Sequence, residues 1–342
     1  MLSRVAESIY WMSRYVERAE NVARFVHVNL HLELDVPALG EEDAGANQWK
    51  PLIWTTGSDQ IFPKLYDSFT RENVIKFLTF DPDNPNSILS SVRFARENAR
   101  SIREVISSEM WFTLNRFYLM MRDPQAPARA TADPHSFYTD IKTACALFLG
   151  ETMSTMSHGE GWHFGRIGRL LERADKTSRI LDVKYYILLP KVEHVGMPID
   201  TLQWVALLKS ASAFEMYRKA FSTITPRNVS KFLLLDLDFP RAVLQCLSGA
   251  EDSLREITGT ARDTYNNPAE QRLGRLCAEL KYTHIDEIIK TGLHEYVDRL
   301  QTAINAIDDN IFHMFFEIKS DAVPEEPKAG GTQSQTQTQG QS

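Results

Sequence analysis

The chain has 342 residues, of which 43% are hydrophobic and 24% charged, a composition able to bury a sizeable core. Its formal net charge is −7 and no segment concentrates lysine and arginine, which argues against a nucleic-acid-binding protein. The longest apolar run, at 232–239, is interrupted by Asp236 and Asp238 and falls short of the roughly 20 apolar residues of a membrane span. Because Arg4 and Glu7 stand where a leader would be apolar, we expect a cytoplasmic protein without a membrane span.

Apolar residues recur at helical spacing along almost the whole chain, and no segment alternates long enough to predict a sheet. Long helices are predicted at 2–33, 86–120, 135–156, 162–189, 240–258, 269–290 and 293–318, with shorter ones within 48–79 and 199–234. Proline-rich or glycine-rich stretches predict loops at 36–48 and 121–134. The polar segment 320–342 predicts a disordered C-terminal tail. The fold class is therefore an all-α multi-helix bundle.

The chain resembles itself at an offset of 155 residues. Segment 73–85 falls on segment 228–240 with eight of thirteen positions identical, and Trp49 falls on Trp204. Such a constant offset predicts two tandem, diverged helical repeats at 1–155 and 156–319, packed as one domain. In both copies a threonine, Thr70 or Thr225, is expected to cap a short helix.

A Glu-Arg helix occurs once in each predicted repeat, again 155 residues apart. Its charged residues are Arg14, Glu17, Arg18, Glu20 and Arg24 in the first copy and Arg169, Glu172, Arg173, Asp175 and Arg179 in the second. Helical spacing places these charges about 100° from an apolar row, at the edge of the core. Within one helix, Arg14 can reach Glu17 and Glu20 can reach Arg24. Ser13 and Gly168 head the two rows, and such small residues allow another helix to approach closely.

Three interpretations of these rows remain open. The charges can form desolvated ion pairs where the two repeats pack, in which case breaking one pair costs about 3–5 kcal/mol. They can instead line a groove in which arginines bind a carboxylate or phosphate. In the third interpretation, Glu17 or Glu172 is a catalytic acid or base with a shifted pKa.

Sequence motifs of known cofactor and metal sites are absent, including phosphate-binding loops, dinucleotide-binding loops and the zinc-protease signature. Glu160 and His163 have a di-iron spacing without a second copy, and glycines flank them, so we expect no metal site there. The segment 158–162 is instead predicted to be the loop that ends repeat one. Cys145, Cys246 and Cys277 lack metal-ligand spacing and are expected to be buried, reduced thiols. We therefore expect no cofactor.

The chain resembles the alpha-E family, bacterial all-helical domains named for a Glu-Arg motif. The residues that carry the resemblance are the segments 9–21, 95–100, 107–111, 168–175 and 292–296, together with Asn115. The resemblance extends over essentially residues 1–318, and both Glu-Arg motifs are intact.

The family resemblance implies a function in a ligation-and-cleavage system for amide or peptide bonds. Genes of the family neighbour ATP-grasp and transglutaminase-like proteins, which implies such proteins as partners. The resemblance thus implies an accessory or binding component whose Glu-Arg positions hold a peptide or carboxylate ligand. The alternative that it leaves open is an enzyme acting on amides or peptides, with Glu17 and Glu172 as acid-base residues.

Overall fold

The computed structural model describes residues 1–35, 49–187 and 198–317. The predicted loop at 36–48, the last residues of the helices predicted at 162–189 and 293–318, and the predicted tail at 320–342 lie outside the described residues. Within the described ranges the chain forms sixteen α-helices and no strand, which confirms the all-α prediction.

The helices fall into two series of eight. The first series is α1 Ser3–Asp35, α2 Lys50–Thr55, α3 Phe62–Leu65, α4 Arg71–Thr79, α5 Ile88–Ser101, α6 Ser108–Arg122, α7 Ala126–Ala132 and α8 Pro134–Thr155. The second series is α9 Glu160–Ile187, α10 Pro198–Ser210, α11 Phe214–Ala220, α12 Pro226–Leu235, α13 Val243–Thr258, α14 Pro268–Tyr282, α15 Ile285–Thr291 and α16 Leu293–Ile311. A short π-helical segment, Phe312–Phe316, follows α16.

Two long helices of the prediction are each divided in the structure. The helix predicted at 86–120 is wrong because Ser107 starts a new helix, its hydroxyl accepting a hydrogen bond from the Met110 amide at 3.2 Å. The helix predicted at 269–290 breaks at Thr283 and His284, which have extended backbone conformations. Apolar periodicity continues across both breaks, so it does not reveal the Ser107 cap at the first break or the extended backbone at the second.

The loops predicted from proline and glycine are shorter than expected. Segment 121–134 contains α7, and Pro127 lies in the first turn of this helix. Backbone amides in a first turn have no acceptor within the helix, so proline, which lacks an N–H group, is tolerated there. Pro134 likewise begins α8 after the cap Asp133. The predicted loop at 158–162 is also too long, because α9 already begins at Glu160. These residues start helices rather than separate them.

Corresponding helices of the two series share local features at the 155-residue offset. The predicted caps are confirmed: Thr70 accepts from the Asn73 amide and Thr225 from the Asn228 amide. Helices α5 and α13 begin 155 residues apart, at Ile88 and Val243. Ser212 has a left-handed backbone conformation, which is uncommon for a residue other than glycine. Its counterpart Gly57 has the same conformation. These correspondences support the predicted duplication and its domain boundaries, which stay predictions.

Helices α1 and α9 form the centre of the bundle. Helices α5 and α8 pack against α1, and α13 and α16 pack against α9. Contacts also cross between the series, since α10 packs against α1 and α2 against α9. Residue pairs along the seam, such as Tyr10 with Gly168 and Arg18 with Glu172, advance together, so α1 and α9 run in the same direction.

Small residues allow α1 and α9 to touch through their backbones. A Cβ atom on Gly168 would lie 2.5 Å from the Tyr10 carbonyl oxygen. A Cβ atom on Gly165 would lie 2.9 Å from the Ser13 hydroxyl oxygen, a close contact with a small side chain rather than with backbone. The predicted close approach at Ser13 and Gly168 is therefore confirmed.

The apolar core is continuous through both series and includes Phe77 and Leu78 of α4 and their counterparts Phe232 and Leu233 of α12. The three cysteines are buried and free, as predicted. Among the described helices, none is long and apolar enough to cross a membrane.

The helix contact predicts opposite effects for the same substitution at two helical glycines. Gly168→Ala places a methyl group against the Tyr10 carbonyl, which belongs to rigid backbone. We expect it to reduce the free energy of unfolding by about 1–3 kcal/mol, as overpacking does in other cores.

The matched control is Gly150→Ala in α8, where an added Cβ atom meets nothing within 4 Å. That substitution should stabilise the protein by roughly 0.5–1 kcal/mol because alanine is the better helix former. Thermal or urea unfolding followed by circular dichroism measures both. Equal effects of the two substitutions would contradict the close approach.

Candidate functional site

The Glu-Arg rows of α1 and α9 face each other and exchange ion pairs. Glu172 on α9 accepts from Arg18 on α1 through both carboxylate oxygens, at 2.7 Å from Nε and 2.9 Å from the second nitrogen. Arg14 donates to the same carboxylate at 3.1 Å. A planar guanidinium matches a carboxylate in this two-bonded geometry, which fixes the orientation of both side chains.

Glu17 on α1 forms the corresponding contacts in the opposite direction. Arg173 on α9 donates to its two oxygens at 2.9 and 2.7 Å. Arg241, which follows α12, donates to Glu17 at 3.0 Å. In the pair Glu17–Arg173 the acceptor is on α1 and the donor on α9, and in the pair Arg18–Glu172 the roles of the helices are reversed. The two glutamates, like the two arginines, are 155 residues apart.

A second tier of charges extends each pair along its own helix. Arg24 binds Glu20 at 2.5 Å, and Arg179 binds Asp175 at 2.9 Å. The far ends of both arginines reach the opposite series, because Arg24 donates to Ser212 and Arg179 lies against Gly57. Lys176 adds a further cation beside Asp175 at 3.1 Å.

The network is buried. The exposed fraction is 2% for Glu17 and 0% for Glu172. Burial alone would raise the pKa of both carboxyl groups, but the neighbouring cations outweigh it. Arg173 and Arg241 lower the pKa of Glu17 to about 2. Arg18, Lys176 and Arg14 hold the pKa of Glu172 well below its ordinary value. Both glutamates are therefore ionised throughout the physiological range.

The predicted site residues gather in one place, with one difference from the expected pairing. The pair Glu20–Arg24 is confirmed. The pair Arg14–Glu17 is wrong, because Arg14 instead crosses to Glu172 and to Asp308 of α16. Spacing within one helix predicts only partners on that helix, whereas Arg14 finds its carboxylates on the neighbouring helices α9 and α16.

Arg169, the counterpart of Arg14, differs from the rest of the network. Among the described residues no carboxylate lies within ion-pair distance of its guanidinium, although Glu17 attracts it from farther away. Burial and the neighbouring Arg173 lower the pKa of Arg169 to about 10, so it remains charged at neutral pH. Arg14, by contrast, is bound by Glu172, Tyr10 and Asp308.

A cleft between α1, α8 and α9 opens at Arg169. Its interior volume is about 30 Å³, room for one or two water molecules, and it opens to solvent. Polar groups of Glu17, Glu20 and Arg166 share the wall with Arg169, and Phe148 and Trp162 supply apolar surface. Arg166 is held in place by the Gly249 carbonyl and the Ser253 hydroxyl, each at 2.8 Å. The cleft thus combines an apolar wall with Arg169, which has no carboxylate within ion-pair distance among the described residues, although Glu17 and Glu20 line the same cleft.

Sequence reasoning missed several partners of the network. Arg241 directly follows Pro240, the last aligned residue, and its counterpart Asn86 accepts from Arg18 at 3.0 Å. Extending the internal alignment by one residue would therefore have included it. Asp308 and Tyr10 bind Arg14 from positions that no motif marks.

The segment 158–163, for which no metal site is predicted, makes other contacts in the structure. Glu160 binds the Met1 amino group at 2.7 Å, and His158 stacks on Trp162. Within the described parts of the chain, metal-ligating side chains converge instead at His27, His31 and His135, which the sequence analysis did not consider.

Comparison with known proteins identifies one family model, described as Alpha-E, "a predicted alpha-helical domain with a conserved ER motif", which matches residues 1–316. Two curated proteins, one from Mycobacterium bovis and one from Mycobacterium tuberculosis, are 23% identical over 328 residues, and both are named as uncharacterized. A further protein of Mycobacterium tuberculosis is 22% identical. Each alignment covers 89% of this chain but 35% of the relative, so the chain spans about a third of their length. No solved structure matches the chain.

The buried pairs predict a large effect from neutral substitutions at the two glutamates. Glu17→Gln leaves Arg173 and Arg241 charged and buried, and Glu172→Gln does the same to Arg18 and Arg14. Each should reduce the free energy of unfolding by about 3–5 kcal/mol. The control is Asp286→Asn, which removes an equally short two-bonded pair with Arg227 on the surface and should have a small effect. Urea unfolding measures all three variants.

The same variants have a predicted pH dependence. Because the pKa of Glu17 is lowered from 4.5 to about 2, its stabilising contribution is complete above about pH 5 and is lost as pH falls toward 2. The difference in free energy of unfolding between wild type and Glu17→Gln should shrink across that interval. A difference that stays constant down to pH 2 would mean that the pair is not formed.

Proposed function

The chain belongs to the Alpha-E family, and from this premise we propose that it is a non-enzymatic binding component that holds a carboxylate-bearing ligand at Arg169. The observation that carries the proposal is that Arg169 lines a cleft while no carboxylate of the described residues lies within ion-pair distance of it, the cleft's own Glu17 and Glu20 being bound by other arginines. A partly buried cation is unfavourable unless an anion pairs with it, so an incoming carboxylate would gain a charge-assisted hydrogen bond.

The charge around the cleft supports an anionic ligand. The two carboxylates on this side, Glu17 and Glu20, are already bound by Arg173, Arg241 and Arg24. Arg169 adds a further cation that these carboxylates do not neutralise. Local positive charge in excess of negative charge favours an anion over a neutral or cationic ligand.

The contact of Arg14 with Asp308, on the opposite side of the network, indicates how such a ligand would bind. There Arg14, the counterpart of Arg169, binds Asp308 from α16. On the cleft side the corresponding helix of the first series is α8, whose residues in the cleft are uncharged: Cys145, Phe148, Leu149, Thr152 and Met153. A ligand carboxylate at Arg169 would therefore occupy the place that Asp308 fills beside Arg14.

The ligand class follows from the cleft and from the family resemblance. A carboxylate beside an apolar wall suits the C-terminus or an acidic side chain of a peptide. We place the chain in an amide or peptide ligation-and-cleavage system, with ATP-grasp and transglutaminase-like proteins as partners, because family resemblance implies them. Co-purification from the native host at moderate salt tests this placement, and absence of both protein classes from the purified complex would contradict it.

Catalysis by Glu17 or Glu172 receives no support from the site. A general acid or base needs a pKa near the working pH, whereas the cations around both carboxyl groups lower their pKa values. Their oxygens are also engaged in hydrogen bonds from Arg18 and Arg173. The enzyme alternative therefore stands on the family resemblance alone.

Substitution of Arg169 tests the carboxylate proposal. Wild-type protein should bind acetyl-alanyl-alanine more tightly than its C-terminal amide by roughly 10–100-fold, the value of one charged hydrogen bond. Arg169→Leu should abolish this preference without lowering the melting temperature, because Arg169 forms no ion pair with any residue that the structure describes. Calorimetric titration measures binding, and differential scanning calorimetry measures the melting temperature.

The control is Arg116→Leu, which removes an exposed arginine of α6 outside the cleft and should keep the preference for the free acid. If the wild type binds acid and amide equally, or if Arg169→Leu retains the preference, the carboxylate site is not at Arg169. A large fall in melting temperature for Arg169→Leu would instead assign this residue a structural role.

A further inference from the structure

Three histidines meet where α1 packs against the beginning of α8. His27 and His31 lie one turn apart on α1, so their imidazoles share a face of the helix. His135 is in the first turn of α8 and lies against both, with ring centroids 5.2 Å from His27 and 4.4 Å from His31. One ring nitrogen of each residue lies within 4.8 Å of the other two.

We propose that His27, His31 and His135 bind one divalent transition-metal ion of the zinc class, with a fourth position open to solvent. Three imidazoles with an open fourth position form a known type of zinc coordination. Two ligand nitrogens on a tetrahedral zinc ion lie about 3.3 Å apart, given zinc-nitrogen bonds of about 2.0–2.1 Å. The Nε2 atom of His27 and the Nδ1 atom of His135 are already 3.1 Å apart.

The third ligand, His31, is the exposed member of the group, and its ring centroid lies 5.0 Å from that of His27 and 4.4 Å from that of His135. His27 and His135 are partly buried on two packed helices. The ligand nitrogens all lie within 4.8 Å of one another, so a shift of about 1–2 Å brings the third to the spacing of zinc ligands.

The donor set selects the class of metal. Imidazole nitrogens favour zinc, copper, nickel and cobalt, whereas magnesium and calcium prefer carboxylate and carbonyl oxygens. The group contains three imidazoles and no carboxylate. Magnesium and calcium are therefore excluded as the preferred ions.

Charged groups around the histidines moderate the affinity. Lys142 of α8 lies 2.6 Å from the Nδ1 atom of His27, and Arg24 adds positive charge from α1. Glu20 opposes these cations at Lys142. We expect binding weaker than that of zinc sites whose histidines are supported by carboxylates.

The place of this site is separate from the carboxylate cleft. His27 and His31 follow Glu20 and Arg24 along α1, beyond the end of the ion-pair network. The metal proposal does not depend on a ligand at Arg169, and each can fail without the other.

The test uses the untagged full-length chain, freed of metal with a chelator and titrated with zinc chloride in a calorimeter. We expect one zinc ion per chain, and a visible absorption band of tetrahedral cobalt when cobalt chloride replaces zinc. His31→Ala and His135→Ala should each weaken zinc binding by about 100-fold or more, beyond the range for loss of an outer-shell partner. Circular dichroism verifies that both variants keep their helices.

His284→Ala, which removes an exposed histidine between α14 and α15, is the matched control and should bind zinc like the wild type. The proposal is overturned if the wild type binds zinc with a dissociation constant above about 100 µM. It is also overturned if folded His31→Ala and His135→Ala retain wild-type affinity.

Discussion

The rest of the structure depends on the exchange of arginines and glutamates between α1 and α9. Glu17 receives Arg173 and Glu172 receives Arg18, each through two hydrogen bonds, at positions with almost no contact with water. A buried charge is tolerated only beside its partner, so neither helix can turn or slide without exposing an unpaired ion to the core. The small residues Gly168 and Ser13 bring the two helices near enough for this exchange.

The same arrangement also provides the candidate function. If every cation of the network were paired with a carboxylate of the protein, none would remain to bind an anionic ligand. Arg14 has such a partner in Asp308, whereas its counterpart Arg169 faces a cleft lined by uncharged residues of α8. Divergence between the two sides, rather than the shared Glu-Arg motif itself, thus distinguishes the proposed carboxylate site from the structural pairs.

The sequence predicted the helical class, the Glu-Arg rows beside the core and the close approach at Gly168, because each follows from helical periodicity. It did not predict the division of the helix at 86–120, which depends on the cap Ser107. The pairing of Arg14 was also wrong, because spacing within one helix contains no information about Glu172 and Asp308 on other helices. The histidine cluster was missed for the same reason, since His135 joins His27 and His31 only through the packing of α8.

The most direct test of the exchange is a double-mutant cycle on Glu17 and Arg173, using Glu17→Gln, Arg173→Met and the double variant in urea unfolding. If the pair is desolvated and specific, the sum of the losses in free energy of unfolding for the two single variants should exceed the loss for the double variant. The difference, the coupling energy, should be about 1.5–3 kcal/mol. Additive losses, with a coupling energy near zero, would contradict the view that reciprocal Glu-Arg pairs hold α1 and α9 together.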